Sequence, residues 1–406
     1  MRPLNIIIVS YGGAHFKILN QLYAELTGRG NVANVTFIAL TSSRVNAERE
    51  GIVFSQLKDF IHLFDEERVR KLGCALVNKE DLTLDYDESV LYHGLGFSDL
   101  IQQVGEAEAA EIYRHHGRAC FMPVNVMTTI IKSLSANIVI ATDSPRYEQA
   151  ALTASFRTGA ESICIPTLFG NREIADELHS STGLTMYLPQ YHTALVSHQL
   201  AKGRILEREV NRDPRSIVVT GSPIFDSVAS QYSEQYQPFL SRDQLNFDKI
   251  YFYATQDYGN SEVILREALV PFITRQNNCL LVVKPHPGEP KDRYENLSKI
   301  KGVFVATDWE ANDIAFVSDV IIVEDSTVGL ESLVMGKCVL AIDLRPGKNN
   351  NFRDFNLCPI FDDTAALLFA LTNESASEVC DSIGWSYQYQ NSVKVICDII
   401  EGEHDS

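Results

Sequence analysis

Val320-Ile-Ile-Val-Glu324-Asp325-Ser326-Thr327-Val328-Gly329-Leu330-Glu331 is followed, three residues on, by Met335-Gly336-Lys337-Cys-Val-Leu-Ala-Ile342. Four β-branched residues come first, without a polar break. Two acids and two hydroxyl residues interrupt them, an apolar helical period follows, and a glycine precedes a second apolar run. The order is strand, tight loop, helix, glycine, strand. A strand covered on both faces is apolar throughout rather than alternating, so these two strands belong to a parallel sheet flanked by helices. Ser326 or Thr327 caps the helix, and the unpaired amides of that first turn face whatever lies above the strand ends. The helix dipole adds positive potential there without a charged side chain. A diphosphate suits such a place. Glu331, one turn in from Thr327, suits the hydroxyls of a ribose. A surface helix with an ordinary capping serine has a similar pattern, although a capping box sets its acid three residues after the cap rather than four or five.

The same kind of run recurs along the chain. Apolar, β-branched stretches occur at Asn5–Val9, Val35–Leu40, Asn137–Ala141, Glu161–Pro166, Thr193–Ser197 and Ser216–Thr220. They resume at Lys249–Ala254, Cys279–Lys284, Gly302–Ala306, Val320–Val323 and Val339–Ile342. Helical periods lie between them, as at Ile18–Leu26, Glu262–Ile273, Glu310–Phe316 and Gly329–Met335. Strands alternating with helices predict an α/β protein of βαβ layers. A length of 406 residues exceeds one compact core. Two Rossmann-like domains are expected: residues 1–235, with a charged helical insertion near 59–116, and residues 236–380. Residues 381–406 are expected to form a C-terminal helix crossing back to the first domain. The polar, aromatic stretch between Phe225 and Phe247 supplies the linker.

Lys and Arg number 35 against 53 Asp and Glu, a net charge of −18. That balance argues against a nucleic-acid binder, which needs a basic face. It leaves room for a local phosphate pocket, and for a basic patch facing a lipid-linked acceptor. The first apolar run, Ile6 to Val9, is too short for a signal-peptide core or a membrane span. Eight cysteines without a Cys-x-x-Cys pair suggest reduced, buried thiols, no zinc site and a cytoplasmic protein.

Three further strand ends carry candidate chemistry. Leu280-Leu-Val-Val-Lys284-Pro285-His286-Pro287-Gly288-Glu289 ends a strand in a loop stiffened by proline on both sides of one histidine. Lys284 offers a charge to phosphate, and His286 a donor to a phosphate oxygen or leaving group. Ile8-Val-Ser10-Tyr11-Gly12-Gly13-Ala14-His15 turns from strand to helix, with Gly12 and Gly13 permitting close backbone approach and His15 placed as a base or acceptor-positioning group. Ala254-Thr255-Gln256-Asp257 offers Asp257 as a carboxylate, although aspartate in such a turn is commonly a turn former. In the first half, Asp143 or Ser144 ends a strand equivalently, and Gly221 and Ser222 end the last one. Asp85-Tyr-Asp87 has a metal-binding form but lies in a charged stretch with no strand leading in, which favours a solvated loop.

These pieces together resemble GT-B-type glycosyltransferases. The matching residues are Gly12-Gly13-x-His15, Val218-Val-Thr-Gly-Ser-Pro, Lys284-Pro-His-Pro and Glu324-Asp-Ser-Thr-x-x-x-Glu331. Lys-Pro-His-Pro before an acidic Ser/Thr turn looks most like bacterial capsule and cell-wall polymer transferases: Kdo transferases, sialyltransferase-like enzymes and CDP-glycerol glycerophosphotransferases. Ile217-Val-Val-Thr-Gly-Ser-Pro-Ile-Phe-Asp226 is also similar to hydrolysing UDP-GlcNAc 2-epimerases, which share the architecture. The chain departs from the epimerases in having Ser326-Thr327-Val328 where they carry a Ser-Gly-Gly turn.

The resemblance implies two Rossmann-like domains facing across a cleft and a metal-independent transferase in surface polysaccharide synthesis. It implies a nucleotide-sugar donor, a glycan or lipid-linked acceptor, peripheral membrane association and no cofactor beyond the donor. Asp325, Ser326, Thr327, Glu331, Lys284 and His286 would hold the donor. The base would be His15 or Asp143, with Asp257 the alternative. An epimerase is the second expectation, and a non-catalytic nucleotide-sugar-binding protein the third.

Overall fold

A computed structural model describes residues 3–77, 85–167, 173–188, 190–232, 236–237, 245–256, 260–290, 292–345, 347, 350–373, 387–388 and 390–402. The chain divides into two compact units: Met1–Ile224 with Gln390–Ser406, and Phe225–Tyr389.

Each unit is built on a six-stranded sheet. The first contains β1 (Leu4–Ser10), β2 (Val32–Ala39), β3 (Ile138–Ala141), β4 (Glu161–Cys164), β5 (Thr193–Val196) and β6 (Ile217–Val219). Its order is β2-β1-β3-β4-β5-β6. The second contains β7 (Lys249–Ala254), β8 (Cys279–Lys284), β9 (Val303–Val305), β10 (Val320–Val323), β11 (Cys338–Ile342) and β12 (Ile360–Phe361). Its order is β12-β11-β10-β7-β8-β9. Every described pairing is parallel. The fold is α/β with two Rossmann-like sheets. All eleven expected strands form, and β12, only two residues long, is additional.

The apolar runs read as they do because both faces are covered. Ile6 to Val9 in β1 and Val320 to Val323 in β10 are each at most 1% exposed. Burial of each such side chain is worth roughly 1.5–3 kcal/mol, which sets the sheet interiors as the cores.

Strand order fixes where ligands meet a parallel sheet. In the first sheet the chain runs from β1 to β2 on one side, then returns to place β3 on the other. In the second it runs β7, β8, β9 outward, then returns to place β10 beside β7. At these reversals the neighbouring loops leave in opposite directions and open a crevice at the carboxyl ends of the strands. The two switch points therefore lie between β1 and β3, and between β7 and β10.

The charged stretch near 59–116 is helical at Glu66–Leu76, Tyr86–Val104 and Glu106–His116. The first two pack backbone to backbone at a pair of glycines. A Cβ on Gly73 would lie 1.9 Å from the Val90 carbonyl oxygen, and one on Gly94 would lie 2.0 Å from that of Val69. Asp85 caps the second helix by accepting from the Asp87 and Glu88 amides, and Asp87 pairs with Arg70. Both carboxylates of the Asp-x-Asp stretch thus have structural partners. The helix Ser392–Ile400 belongs to the first unit, where Arg29 donates to Asp398 (2.7 Å) and Glu401 (2.6 Å).

Cys120, Cys164, Cys358 and Cys397 are free and buried as expected, but two other cysteines differ. Cys338, at the half-exposed start of β11, is disulfide-bonded, and Cys74 is exposed rather than buried. An apolar run in sequence does not bury its first residue when the strand begins at the sheet rim. Among the described residues no helix is long and apolar enough to cross a membrane.

Candidate active site

The switch point of the second sheet is closed on one side by the helix Thr327–Val334. Ser326 is its N-cap, accepting from the Val328 amide at 3.3 Å, and Thr327 is its first residue. Gly329 lets the helix lie close on β10: a Cβ there would stand 2.6 Å from Phe352 Cζ and 2.8 Å from Val323 Cγ2. The helix start is fixed by that close contact.

Acids fasten this end of the sheet. Glu324, 1% exposed, accepts from Tyr253 Oη (2.9 Å) and Ser261 Oγ (2.8 Å), tying β10 to β7 and its following helix across the switch point. Burial raises the Glu324 carboxyl above its ordinary range, against these hydrogen bonds. Asp325 accepts from the Asn351 amide (3.4 Å) and side chain (3.3 Å), and burial raises it too. Glu331, 8% exposed, is engaged by the Asn312 side-chain amide.

At the end of β8 the loop is held rather than free. The His286 amide donates to Thr255 Oγ1 and Glu289 Oε2, each at 2.9 Å. His286 Nδ1 accepts from the Gly288 amide at 3.1 Å, so in the neutral ring Nε2 carries the hydrogen and is a donor. Glu289, 7% exposed, also takes Tyr294 Oη (2.6 Å) and Arg293 (3.0 Å). Lys284 reaches the other way. Its Nζ donates to the Thr307 carbonyl at 2.7 Å, just past β9, on the side of β8 away from β10. The cation beside the capped helix is instead Arg345. It lies past the end of β11, 3.0 Å from Asp343 Oδ1 and 3.8 Å from Asp325 Oδ2. Asp257 falls outside the described residues.

The switch point of the first sheet brings together residues far apart in sequence. Gly13 adopts φ 58°, ψ −131° at the start of the helix Ala14–Thr27, with open space where a Cβ would stand. Such a dihedral favours glycine. Gly12 has a packing role, since a Cβ there would stand 1.9 Å from Ser42 Oγ. His15 Nδ1 is 2.6 Å from Thr142 Oγ1, just beyond β3. No other hydrogen bond falls on the His15 ring among the described residues. Asp143 Oδ1 accepts from the Thr167 amide (2.8 Å) and hydroxyl (2.9 Å). Burial lowers the His15 pKa from its ordinary value and raises that of Asp143; the Asp143 charge opposes the first shift, and the Arg146 charge adds to it. Gly221 has φ 82° at the end of β6, where Ser222 is 8% exposed.

Sequence inspection misses Glu148. It is 0% exposed and accepts from the Tyr11 amide (2.7 Å), the Thr142 amide (2.9 Å) and the Thr142 hydroxyl. One carboxylate thus joins the ends of β1 and β3. Its helix, Tyr147–Thr158, starts at Arg146 with φ 72°, a conformation unusual for a residue with a Cβ and common at functional sites. The Arg146 guanidinium lies 4.8 Å above the Tyr11 ring. The signal in sequence is faint: an acid four residues beyond Ser144, in the polar turn that follows β3.

No protein-family model and no curated sequence matches the chain. Solved structures do. A UDP-N-acetylglucosamine 2-epimerase superposes with TM-score 0.63 at 14% identity, covering 100% of this chain and 98% of that one. The Neisseria meningitidis UDP-GlcNAc 2-epimerase, bound to UDP-GlcNAc, gives 0.60 at 12% identity, covering 98% and 100%. The glycotransferase of kitacinnamycin gives 0.58 at 12%, covering 99% and 100%. The fold is GT-B. At these identities the likeness is one of fold, and the chemistry must come from the residues at the two switch points.

Proposed function

We propose that the chain is a metal-independent glycosyltransferase that uses a nucleoside-diphosphate sugar. The observation behind this reading is the capped helix start at Ser326, set on β10 at a Rossmann switch point. A helix terminus there suits the diphosphate, with its amides and dipole facing the negative charge. His286 Nε2–H supplies a further donor, and Arg345 a charge. Glu331 and Asn312 are assigned to the ribose side of the site.

In the transfer the acceptor oxygen bonds to the anomeric carbon as the bond from that carbon to the phosphate oxygen breaks. The proton of the acceptor hydroxyl passes to His15 Nε2. The electron pair leaves with the nucleoside diphosphate, where the helix start and His286 stabilise it. This is electrostatic preorganisation: donors fixed in advance where charge develops.

A thermal-shift panel of CMP, CDP, UDP and GDP tests the binding half. One nucleoside diphosphate is expected to stabilise the protein by about 2.7 kcal/mol at a hundredfold excess over its dissociation constant. Failure of every nucleotide to move the melting temperature overturns the assignment.

A second reading, a hydrolysing UDP-GlcNAc 2-epimerase, has one observation in its favour. Asp143 and Glu148 give the first switch point two carboxyls whose pKa burial raises, a shift that suits groups exchanging a proton near neutral pH. UDP-GlcNAc incubated without acceptor decides between the two. Stoichiometric free sugar and UDP, with a changed configuration at C2, replaces the transferase reading by the epimerase one.

A further inference from the structure

Thr142 stands between two titratable groups, and its hydrogen-bond capacity fixes their polarity. A hydroxyl has one hydrogen to give and two lone pairs to receive. Four groups surround Thr142 Oγ1: the Glu148 carboxylate, His15 Nδ1 at 2.6 Å, the Ser144 amide at 3.3 Å, and its own Cβ. The Ser144 amide can only donate. An ionised Glu148 can only accept, so it takes the Thr142 hydrogen. The remaining lone pair of Oγ1 faces His15 Nδ1 and is satisfied only if Nδ1 carries a hydrogen.

We infer that Glu148 is a positioning residue that, through the Thr142 hydroxyl, holds His15 as the Nδ1–H tautomer and leaves Nε2 open as the proton acceptor. The functional consequence rests on the reading of His15 as the base; the tautomer itself does not. Glu148 is anchored for this task by the Tyr11 and Thr142 amides, so its carboxylate cannot swing away.

The relay is sensitive to pH. Burial pushes the Glu148 carboxyl up to about 7, against hydrogen bonds from Thr142 and Tyr11 and the charge of Arg146. Above that value the carboxylate accepts from Thr142. Below it, the protonated carboxyl donates to Oγ1, the Thr142 hydrogen turns to His15 Nδ1, and Nε2 takes the hydrogen instead. The other charged groups facing His15 are Asp143 and Arg146, whose effects on its pKa oppose each other.

Imidazole 15N shifts in histidine-labelled full-length protein read the tautomer directly, with His15 assigned by loss of its signals in His15→Gln. At pH 8 the wild type is expected to show the Nδ1–H pattern, giving way to Nε2–H as pH falls through about 7. Glu148→Gln replaces the charged acceptor by an amide that must also face the Thr142 N–H, and is expected to weaken the Nδ1–H preference at pH 8. Thr142→Val removes the relay and is expected to lose the preference, whereas Thr142→Ser keeps the hydroxyl and the wild-type pattern. Should Glu148→Gln not fold, the Val and Ser pair decides alone.

Turnover is expected to fall about tenfold or more in Glu148→Gln and Thr142→Val with KM little changed, since a wrong tautomer costs up to about 10⁴ in kcat. A wild-type Nε2–H pattern at pH 8, or spectra indifferent to Thr142→Val, overturns the inference. Spectra as expected beside full activity in His15→Gln would support the relay while removing His15 from the reaction.

Discussion

His15→Ala is expected to lower turnover about 10²–10⁴-fold, the usual contribution of a positioned general base, while leaving the nucleotide-induced rise in melting temperature intact. The two readouts separate because the groups lie in different units: His15 in Met1–Ile224, the Ser326 helix in Phe225–Tyr389. The loss should appear in kcat rather than in donor KM, because a base acts on the acceptor proton only as the new bond forms. The physical state of the ring favours the role. Burial and the Arg146 charge lower its pKa from 6.5, against Asp143, so at neutral pH it is uncharged and holds a lone pair. The reaction requires an Nε2 without a hydrogen, so activity falls as pH drops through about 7, where Glu148 takes its proton and the tautomer turns, and falls further as His15 itself is protonated through its lowered pKa. Steady-state kinetics with the donor identified in the nucleotide panel measure all of this. Full kcat in His15→Ala, with folding confirmed by the same melting curve, removes His15 from the mechanism and passes the role to Asp143.

The sheets were legible because burial on both faces leaves a mark no surface segment shares. Ile6–Val9, Ile138–Ala141 and Val320–Val323 are all unbroken apolar runs, and each forms a strand. Ile360–Phe361 left no such mark, since two residues are too few for a pattern and their pairing with β11 is decided by tertiary contact. The candidate site was legible in part for the same reason. A loop at the end of a buried strand can be found by finding the strand, and this leads to His15, Asp143, His286 and Ser326. What it cannot give is partnership. Tyr11 and Glu148 are 137 residues apart and meet because β1 and β3 are neighbours, a fact of sheet order rather than of composition. Arg345 and Lys284 illustrate the converse. Both are cations at strand ends, yet Lys284 turns to Thr307 while Arg345 lies against Asp343 and near Asp325. Side-chain direction followed from the neighbouring strand's carbonyls and carboxylates, which the local sequence does not display.

His286→Ala is expected to reduce turnover about 10²–10³-fold, the cost of losing one preorganised donor to a developing negative charge, or roughly 2.7–4 kcal/mol of barrier. The backbone around it should survive the change. Its amide bonds to Thr255 and Glu289 do not involve the ring, and Glu289 keeps Tyr294 and Arg293. Among the described residues the ring gives up the 3.1 Å bond from the Gly288 amide, which is exposed and can turn to water. The melting temperature without ligand should therefore move little. Nucleoside diphosphate should bind more weakly in His286→Ala than in the wild type, because the donor serves the bound product as well as the departing one, whereas His15→Ala should leave that affinity unchanged. His286→Gln restores an N–H of similar reach and is expected to recover part of the rate. Isothermal titration with the diphosphate, beside kcat for each variant, checks the pairing of effects. Unchanged affinity and unchanged kcat in His286→Ala would remove His286 from the donor site and leave the diphosphate to the Ser326 helix and Arg345.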